Sequence, residues 1–270
     1  MKIKSVFLFV ICSLVLTACS KRNINSSDNS IPDRVEVIDA ILYGEYTDMT
    51  NTFSYEPLYT DAEWIKDGTL LYPYKNNLDN DSMKTIEDIL ANFYVSEEVV
   101  AKASTKELLK VSGDFLTTKG IDMVYNLPSE YVCYVVSINL ASNELLHRTD
   151  MPEVIFEDYN DREYAKASAS YDEVRINCNQ IMFEEIVLAS NYAFSIMDDE
   201  LKEKVLAQAT DMADMALDDN YDAHGLKSGF FTYIIEEKLE GGSDWYDYIV
   251  ENNHEGALAH ISDAEHASWR

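Results

Sequence analysis

The sequence predicts a mainly α-helical fold. It reads as an irregular, α-solenoid-like array of antiparallel helices, placed after a signal peptide, a tether and an aromatic-rich irregular segment. Three observations predict it. After residue 81 apolar residues recur at three- and four-residue spacing, as a helix with one buried face requires. Ser or Asp stands just before several of these runs, where a side-chain oxygen can accept from a backbone N–H that has no partner within the helix. No proline occurs after Pro152, so nothing there breaks a helix interior for want of an N–H.

The chain opens with Met1-Lys2-Ile3-Lys4, a short basic start. An apolar run from Val6 to Leu16 follows, interrupted only by Ser13. This is the layout of a secretory leader. At about 11 residues the run is well short of the roughly 20 that a permanent span needs. It ends in Leu16-Thr17-Ala18-Cys19, which resembles a bacterial lipobox. The resemblance implies cleavage before Cys19 and acylation of its thiol, so that residues 1–18 are signal peptide and Cys19 is the lipid attachment site. Ser20 at the next position resembles lipoproteins that leave the inner membrane. The expected location is therefore extracytoplasmic, on the outer membrane where the cell has one.

Residues 19–34 are polar and without periodicity, as a flexible tether between lipid and domain would be. Residues 35–80 read as an ordered but irregular segment with one short helix. They carry Tyr43, Tyr46, Phe53, Tyr55, Tyr59, Trp64, Tyr72 and Tyr74 among turn residues such as Pro57, Gly68 and Pro73. These rings either pack onto the helical body or form an aromatic surface that stacks sugars or meets a partner.

The helical domain is expected over 81–270. Met83, Ile86, Ile89, Leu90 and Phe93 form a first helical face, with Asp81 or Ser82 placed to cap it. Ser104-Thr105-Lys106-Glu107 has the spacing of a capping box, and Leu108, Leu109 and Val111 follow. Tyr131 to Leu140 is apolar nearly all round and reads as a central element, a buried strand or, given its length and the helices nearby, a helix. Phe183, Ile186, Val187, Ser190, Phe194 and Met197 share one face of a long helix. Asp198 or Asp199 can cap the next, whose face holds Leu201, Val205, Ala209, Met212 and Ala216. Phe230, Phe231, Ile234, Ile235 and Leu239 make a last helix that stops at Gly241-Gly242. No solenoid repeat of clear identity emerges.

Ala103-Ser104-Thr105-Lys106-Glu107-Leu108-Leu109, followed by Asn143-Glu144-Leu145-Leu146-His147-Arg148-Thr149-Asp150, resembles a pattern in uncharacterised bacterial lipoproteins. These carry an S-T-x-E-L-L helix and, further on, an N-x-x-E-L-x-x-R-x-D stretch. The resemblance runs from Ser104 to Tyr159, and residues 113–126 depart from it. It implies an all-helical lipoprotein and nothing about catalysis.

The chemistry-bearing residues form no strong motif. His254, His260 and His266 cluster near the end, and a fold could gather them around zinc with Glu255, Asp263 or Glu265. However, His254 and His260 stand six apart, not the four that places two imidazoles on one helical face. Asp218-Asp219-Asn220-Tyr221-Asp222, and Asn77 to Asp81 continuing to Asp88, have the acidic spacing of calcium loops without the glycine such loops need. They read better as turns and caps. Glu184-Glu185 and Glu236-Glu237 read as solvated faces. Once Cys12 leaves with the leader and Cys19 is acylated, only Cys133 and Cys178 remain as thiols. They could pair outside the cytoplasm, but the apolar setting of Cys133 favours a core position. No cofactor is expected.

The chain holds 49 acidic against 21 basic residues, a formal charge of −28 that becomes −30 once Lys2 and Lys4 leave with the leader. This excludes nucleic acid as the expected partner, because phosphates demand a basic patch. It is compatible with simple solubility, with a cationic partner or with divalent cations. The function expected is a membrane-anchored, non-enzymatic binding or assembly module of the cell envelope, facing a protein or polymer. The alternatives are an envelope-polymer or glycan hydrolase using carboxylates or a His-bound metal, and an acidic, immunity-type lipoprotein.

Overall fold

A computed structural model describes residues 34–44, 53–70, 85–116, 129–161, 180–181 and 183–216, together with residues 234 and 238. The fold is mainly α. The helices are α1 (Arg34–Leu42), α2 (Asp61–Trp64), α3 (Ile86–Asn92), α4 (Glu97–Lys102), α5 (Thr105–Leu116), α6 (Ser129–Ile138), α7 (Leu140–His147), α8 (Met151–Asp161), α9 (183–189), α10 (Asn191–Ile196) and α11 (Asp199–Ala216). Among the described residues the only sheet is a hairpin of β1 (Ile65–Lys66) and β2 (Thr69–Leu70). Its two-residue turn, Asp67-Gly68, has φ of 55° and 78°. Positive φ at both central residues is what a type I′ hairpin turn requires, and Asp-Gly is a favoured pair for it.

Helix α7 is the hub and packs against α4, α5, α6 and α8. Its Leu145 and Leu146 are buried in a continuous core with Leu108 and Val111 of α5, Val136 of α6 and Ile155 and Tyr159 of α8. A short polar chain crosses this core. Ser112 Oγ donates to Ser142 Oγ at 2.9 Å, the Ser142 amide donates to Asn139 Oδ1 at 3.2 Å, and Asn139 Nδ2 donates to the Phe93 carbonyl at 3.3 Å. These buried polar groups thus have partners, without which burial would be costly.

Short helices follow one another with abrupt turns, and small polar side chains make the turns possible. Asn139 and Ser190 both adopt extended backbone and accept from the amide three residues on. Each thereby ends one helix and caps the next. The expected single helix from Phe183 to Met197 is therefore two, broken at Ser190. Its apolar spacing is right, since Phe183, Ile186, Val187 and Met197 are all buried. The hydroxyl decides the break, because Ser190 Oγ takes the Ala193 amide at 3.1 Å.

Other expectations hold or shift in the same terms. The Ser104–Glu107 capping box is present: Glu107 N–H donates to Ser104 Oγ at 3.3 Å, and Ser104 N–H donates to Glu107 Oε2 at 2.8 Å. Asp198 caps α11 by accepting the Leu201 amide at 2.8 Å. The cap of α3 is Thr85, not Asp81 or Ser82, and Asp88 closes its capping box. Asp88, the last position of the second calcium-like spacing, thus accepts from the Thr85 amide at 3.0 Å. Residues 34–42, mostly read with the irregular segment, form α1. Val35, Ile38 and Leu42 lie on its buried side at helical spacing, and α1 packs on α6.

The described part of the aromatic segment, residues 53–70, packs against the body, whereas Tyr46, Tyr72 and Tyr74 lie outside the described residues. Trp64 is wholly buried and meets Tyr59 edge-on at 6.1 Å, while Tyr55 meets Tyr94 edge-on at 6.1 Å. The Leu58 amide donates to the Ala91 carbonyl at 3.1 Å, fixing the irregular strand of chain beside α3.

Candidate functional site

The residues of the Ser104–Asp150 pattern come together at the α4–α5 and α7–α8 junctions. Thr105 Oγ1 donates to Asp150 Oδ1 at 2.7 Å. Arg148 Nη2 donates to the Val100 and Ala103 carbonyls at 3.1 and 3.4 Å, at the C-terminal end of α4. There the last helical carbonyls lack intrahelical partners and carry partial negative charge. The other side of the guanidinium pairs with Glu144, with Arg148 Nε 2.9 Å from its Oε1. Asn143 Nδ2 donates to the Ser137 carbonyl at 2.7 Å. These polar residues hold helix ends together.

The clamp also builds one wall of a pocket of about 240 Å³. Thr149 and Asp150 come from the α7–α8 turn, and Pro152 and Glu153 from the first turn of α8. Ile196, Met197 and Asp198 form the α10–α11 turn opposite, and Glu200, Leu201 and Lys204 follow on α11. Pro152 and Met197 are buried and make an apolar floor. The rim is acidic because two helices, α8 and α11, start here, and carboxylates suit the positive ends of their dipoles. Lys204 is the basic residue of the lining, with Nζ 2.7 Å from Glu200 Oε1. The hydrogen bond and charge of Glu200, followed by the charges of Asp198 and Glu153, raise the Lys204 pKa above the usual lysine value. Glu200 is thus already paired with a cation of the chain itself, and Asp198 and Glu153 add negative charge beside that pair.

A second surface feature lies where the ends of α1 and α7 meet α10. Tyr43 is 52% exposed and contacts Tyr192 edge-on at 5.9 Å, and exposed His147 contacts the same ring at 6.2 Å. His147 Nδ1 lies 2.8 Å from the Asn143 carbonyl, so in the donating tautomer that nitrogen holds the ring in place.

The structure sorts the residues singled out from sequence. Cys133 is buried in the core at 2% exposure, whereas Cys178 lies outside the described residues. So do Cys19, the histidines 254, 260 and 266, Glu236, Glu237, the Asp218–Asp222 cluster and residues 77–81. Among the described residues no group of three or more His, Cys, Asp or Glu is arranged to hold a metal ion. No described helix is long and apolar enough to cross a membrane. One expectation is overturned: Glu184 and Glu185 are wholly buried, and Tyr159 Oη donates to Glu185 Oε1 at 2.7 Å. Neighbouring glutamates look solvated in sequence, but α9 is enclosed on more than one side, and a buried carboxylate is tolerated when hydrogen-bonded. The pocket itself left no sequence signal, since its walls lie some 45 residues apart in the chain and each acidic residue reads locally as a helix start.

No family model matches the chain, and neither does any curated protein or solved structure.

Proposed function

We propose that the chain is an extracytoplasmic lipoprotein, held at a bacterial membrane through acylated Cys19, and that it serves as a non-enzymatic binding module of the cell envelope. The lipobox and the polar residues 19–34 support the anchored half of this reading. The observation that carries the binding half is the pocket between α8 and α11, whose apolar floor and carboxylate rim suit the stem and head of a basic side chain. A methylene stem gains from leaving water on Pro152 and Met197, and a guanidinium or ammonium head is matched by Glu153 and by Glu200, where it displaces Lys204. The partner is accordingly a protein presenting a basic segment. The net acidity of the chain would add long-range attraction and speed encounter.

The test uses a fluorescein-labelled hexa-arginine peptide, titrated into the full chain in neutral detergent. The double variant Glu153→Gln, Glu200→Gln should weaken binding about tenfold, as removal of two charge-assisted contacts predicts. Glu97→Gln with Glu98→Gln removes the same charge on α4 and should leave affinity nearly unchanged. Equal losses in both variants would mean that only the overall charge attracts the peptide, and the pocket reading would fall.

A further inference from the structure

Helix α10 has only six residues, Asn191–Ile196, and lies between α9 and α11 in the chain. A helix this short does not sustain itself, because nucleation is costly and few hydrogen bonds repay it. Its ends must therefore be held from outside. At the N-terminus Asp39 of α1, itself nearly buried, accepts three bonds. The Asn191 amide and Asn191 Nδ2 donate to its Oδ2 at 2.9 and 2.7 Å, and the Tyr192 amide donates to its Oδ1 at 2.9 Å. Ser190 Oγ takes the third amide, that of Ala193. The first two backbone N–H groups of α10 are thus satisfied by a residue more than 150 positions earlier in the chain. Lys238 grips the same end, donating to Asn191 Oδ1 at 2.7 Å with its ammonium 5.2 Å from the centre of the Phe194 ring. At the other end Ile196 and Met197 line the pocket, and Asp198 begins α11.

We propose that α1 is a latch on the pocket: Asp39 holds α10 in its helical form, and α10 in turn fixes the pocket wall made by Ile196, Met197 and Asp198. Helix α1 is also the first element after residues 19–34, the stretch that joins the domain to Cys19. A pull on the anchor, or a partner that displaces α1, reaches the pocket through one carboxylate and about 9 Å of helix. Release leaves two amides at a part-buried site without their acceptor, and α10 loses the contact that offsets its poor intrinsic stability. This inference rests on the pocket being the recognition site, but its test does not use a ligand.

The test is amide hydrogen exchange on the full chain in neutral detergent, comparing wild type with Asp39→Ala and Asn191→Ala. Asp39→Ala should speed exchange about tenfold or more at the hydrogen-bonded amides of residues 194–197 and of Leu201, while amides of α5 and α7 stay within about twofold of wild type. Asn191→Ala keeps the backbone bonds to Asp39 and removes only side-chain contacts, so a smaller acceleration over the same residues is expected. It decides the matter if Asp39→Ala does not fold. Acceleration that stops at residues 191–193, or that spreads equally through α5 and α7, would overturn the latch. Hexa-arginine binding that ignores Glu153 and Glu200, alongside the expected exchange pattern, would remove the recognition reading and leave the latch. Pocket-dependent binding with exchange confined to residues 191–193 would do the reverse.

Discussion

Thr105 Oγ1 donates to Asp150 Oδ1 at 2.7 Å, joining the first residue of α5 to the turn between α7 and α8 across 45 positions of chain. Three residues of one short turn, Arg148, Thr149 and Asp150, then do different work. Arg148 closes the C-terminal end of α4, Asp150 holds the N-terminal end of α5, and Thr149 and Asp150 line the pocket. Fixing the turn to two helix ends sets the position of one pocket wall. The polar letters of the Ser104–Asp150 pattern are thereby accounted for by architecture, without catalysis.

That bond should be measurable as a coupling. Thr105 is buried and its hydroxyl meets an acceptor whose second oxygen can face water. Thr105→Val preserves shape and removes the donor, and Asp150→Asn removes the charge. Each single variant should lower unfolding free energy by about 1–2 kcal/mol, and the double variant by about 1 kcal/mol less than their sum. Urea unfolding of all four proteins checks this. Strict additivity would mean that the two side chains are neighbours without energetic linkage.

Glu107 should make stability depend on acid. The Ser104 backbone N–H, foremost, holds its pKa below the usual glutamate range; partial burial opposes it next, and the Ser104 hydroxyl and the Leu70 amide add smaller lowering effects. Because the folded-state pKa is depressed, the unfolded chain binds the proton more readily. The contribution is therefore complete above the unfolded value of about 4.3 and is lost as pH falls through the folded one. Glu107→Gln does not titrate at this position. Wild type should exceed it by about 0.5–1 kcal/mol near neutrality, and the gap should close below about pH 4. Thermal unfolding of the pair across pH tests it; a gap that is constant down to pH 2 would contradict the assignment.

What could be read from the sequence was what depends on neighbours three or four residues apart. The Ser104–Glu107 box, the Asp198 cap and the buried faces of α3, α5 and α11 follow from local spacing and were legible for that reason. The break at Ser190 was not, because a serine on an apolar helical face fits both a continuous helix and a cap, and the choice depends on whether Ala193 N–H finds the hydroxyl. Glu184 and Glu185 misled because burial is set by elements far along the chain. Tyr159 supplies a partner that no local pattern announces. Asp39 is the same case: alone on α1 it reads as a surface acid, and only the fold brings it to Asn191. The pocket combines both difficulties, since its acids are ordinary helix starts until two such starts are placed face to face.

The Tyr159 hydroxyl should prove costly to remove. It donates to Glu185 Oε1 at 2.7 Å, and both residues are wholly buried. Tyr159→Phe keeps the ring packing and deletes only the donor. Left short of this donor inside the core, Glu185 should lower stability by about 1–3 kcal/mol. Glu185→Gln in the Tyr159→Phe background should recover part of that loss, because an amide cannot ionise. Chemical denaturation of the three proteins decides it. A loss within experimental error for Tyr159→Phe would mean that other groups carry Glu185.

The anchor makes the plainest prediction. The proposed diacylglyceryl group on Cys19 would bring two acyl chains; each buried methylene contributes about 0.8 kcal/mol, and two chains hold stably where one holds weakly. No other part of the proposal supplies membrane affinity, since the acidic domain is repelled by anionic lipid. Expressed with its leader in a bacterium, the wild-type chain should therefore collect in the detergent phase of a Triton X-114 partition, and Cys19→Ala should move it to the aqueous phase. Treatment of the wild type with a protease that cuts within residues 20–33 should release the folded domain to water as well, because the affinity resides in the lipid and not in the helices. A wild-type chain already in the aqueous phase would remove the lipid, and with it the idea that force on Cys19 reaches α1. The pocket and its proposed preference for a basic segment would be untouched, since neither requires lipid on Cys19.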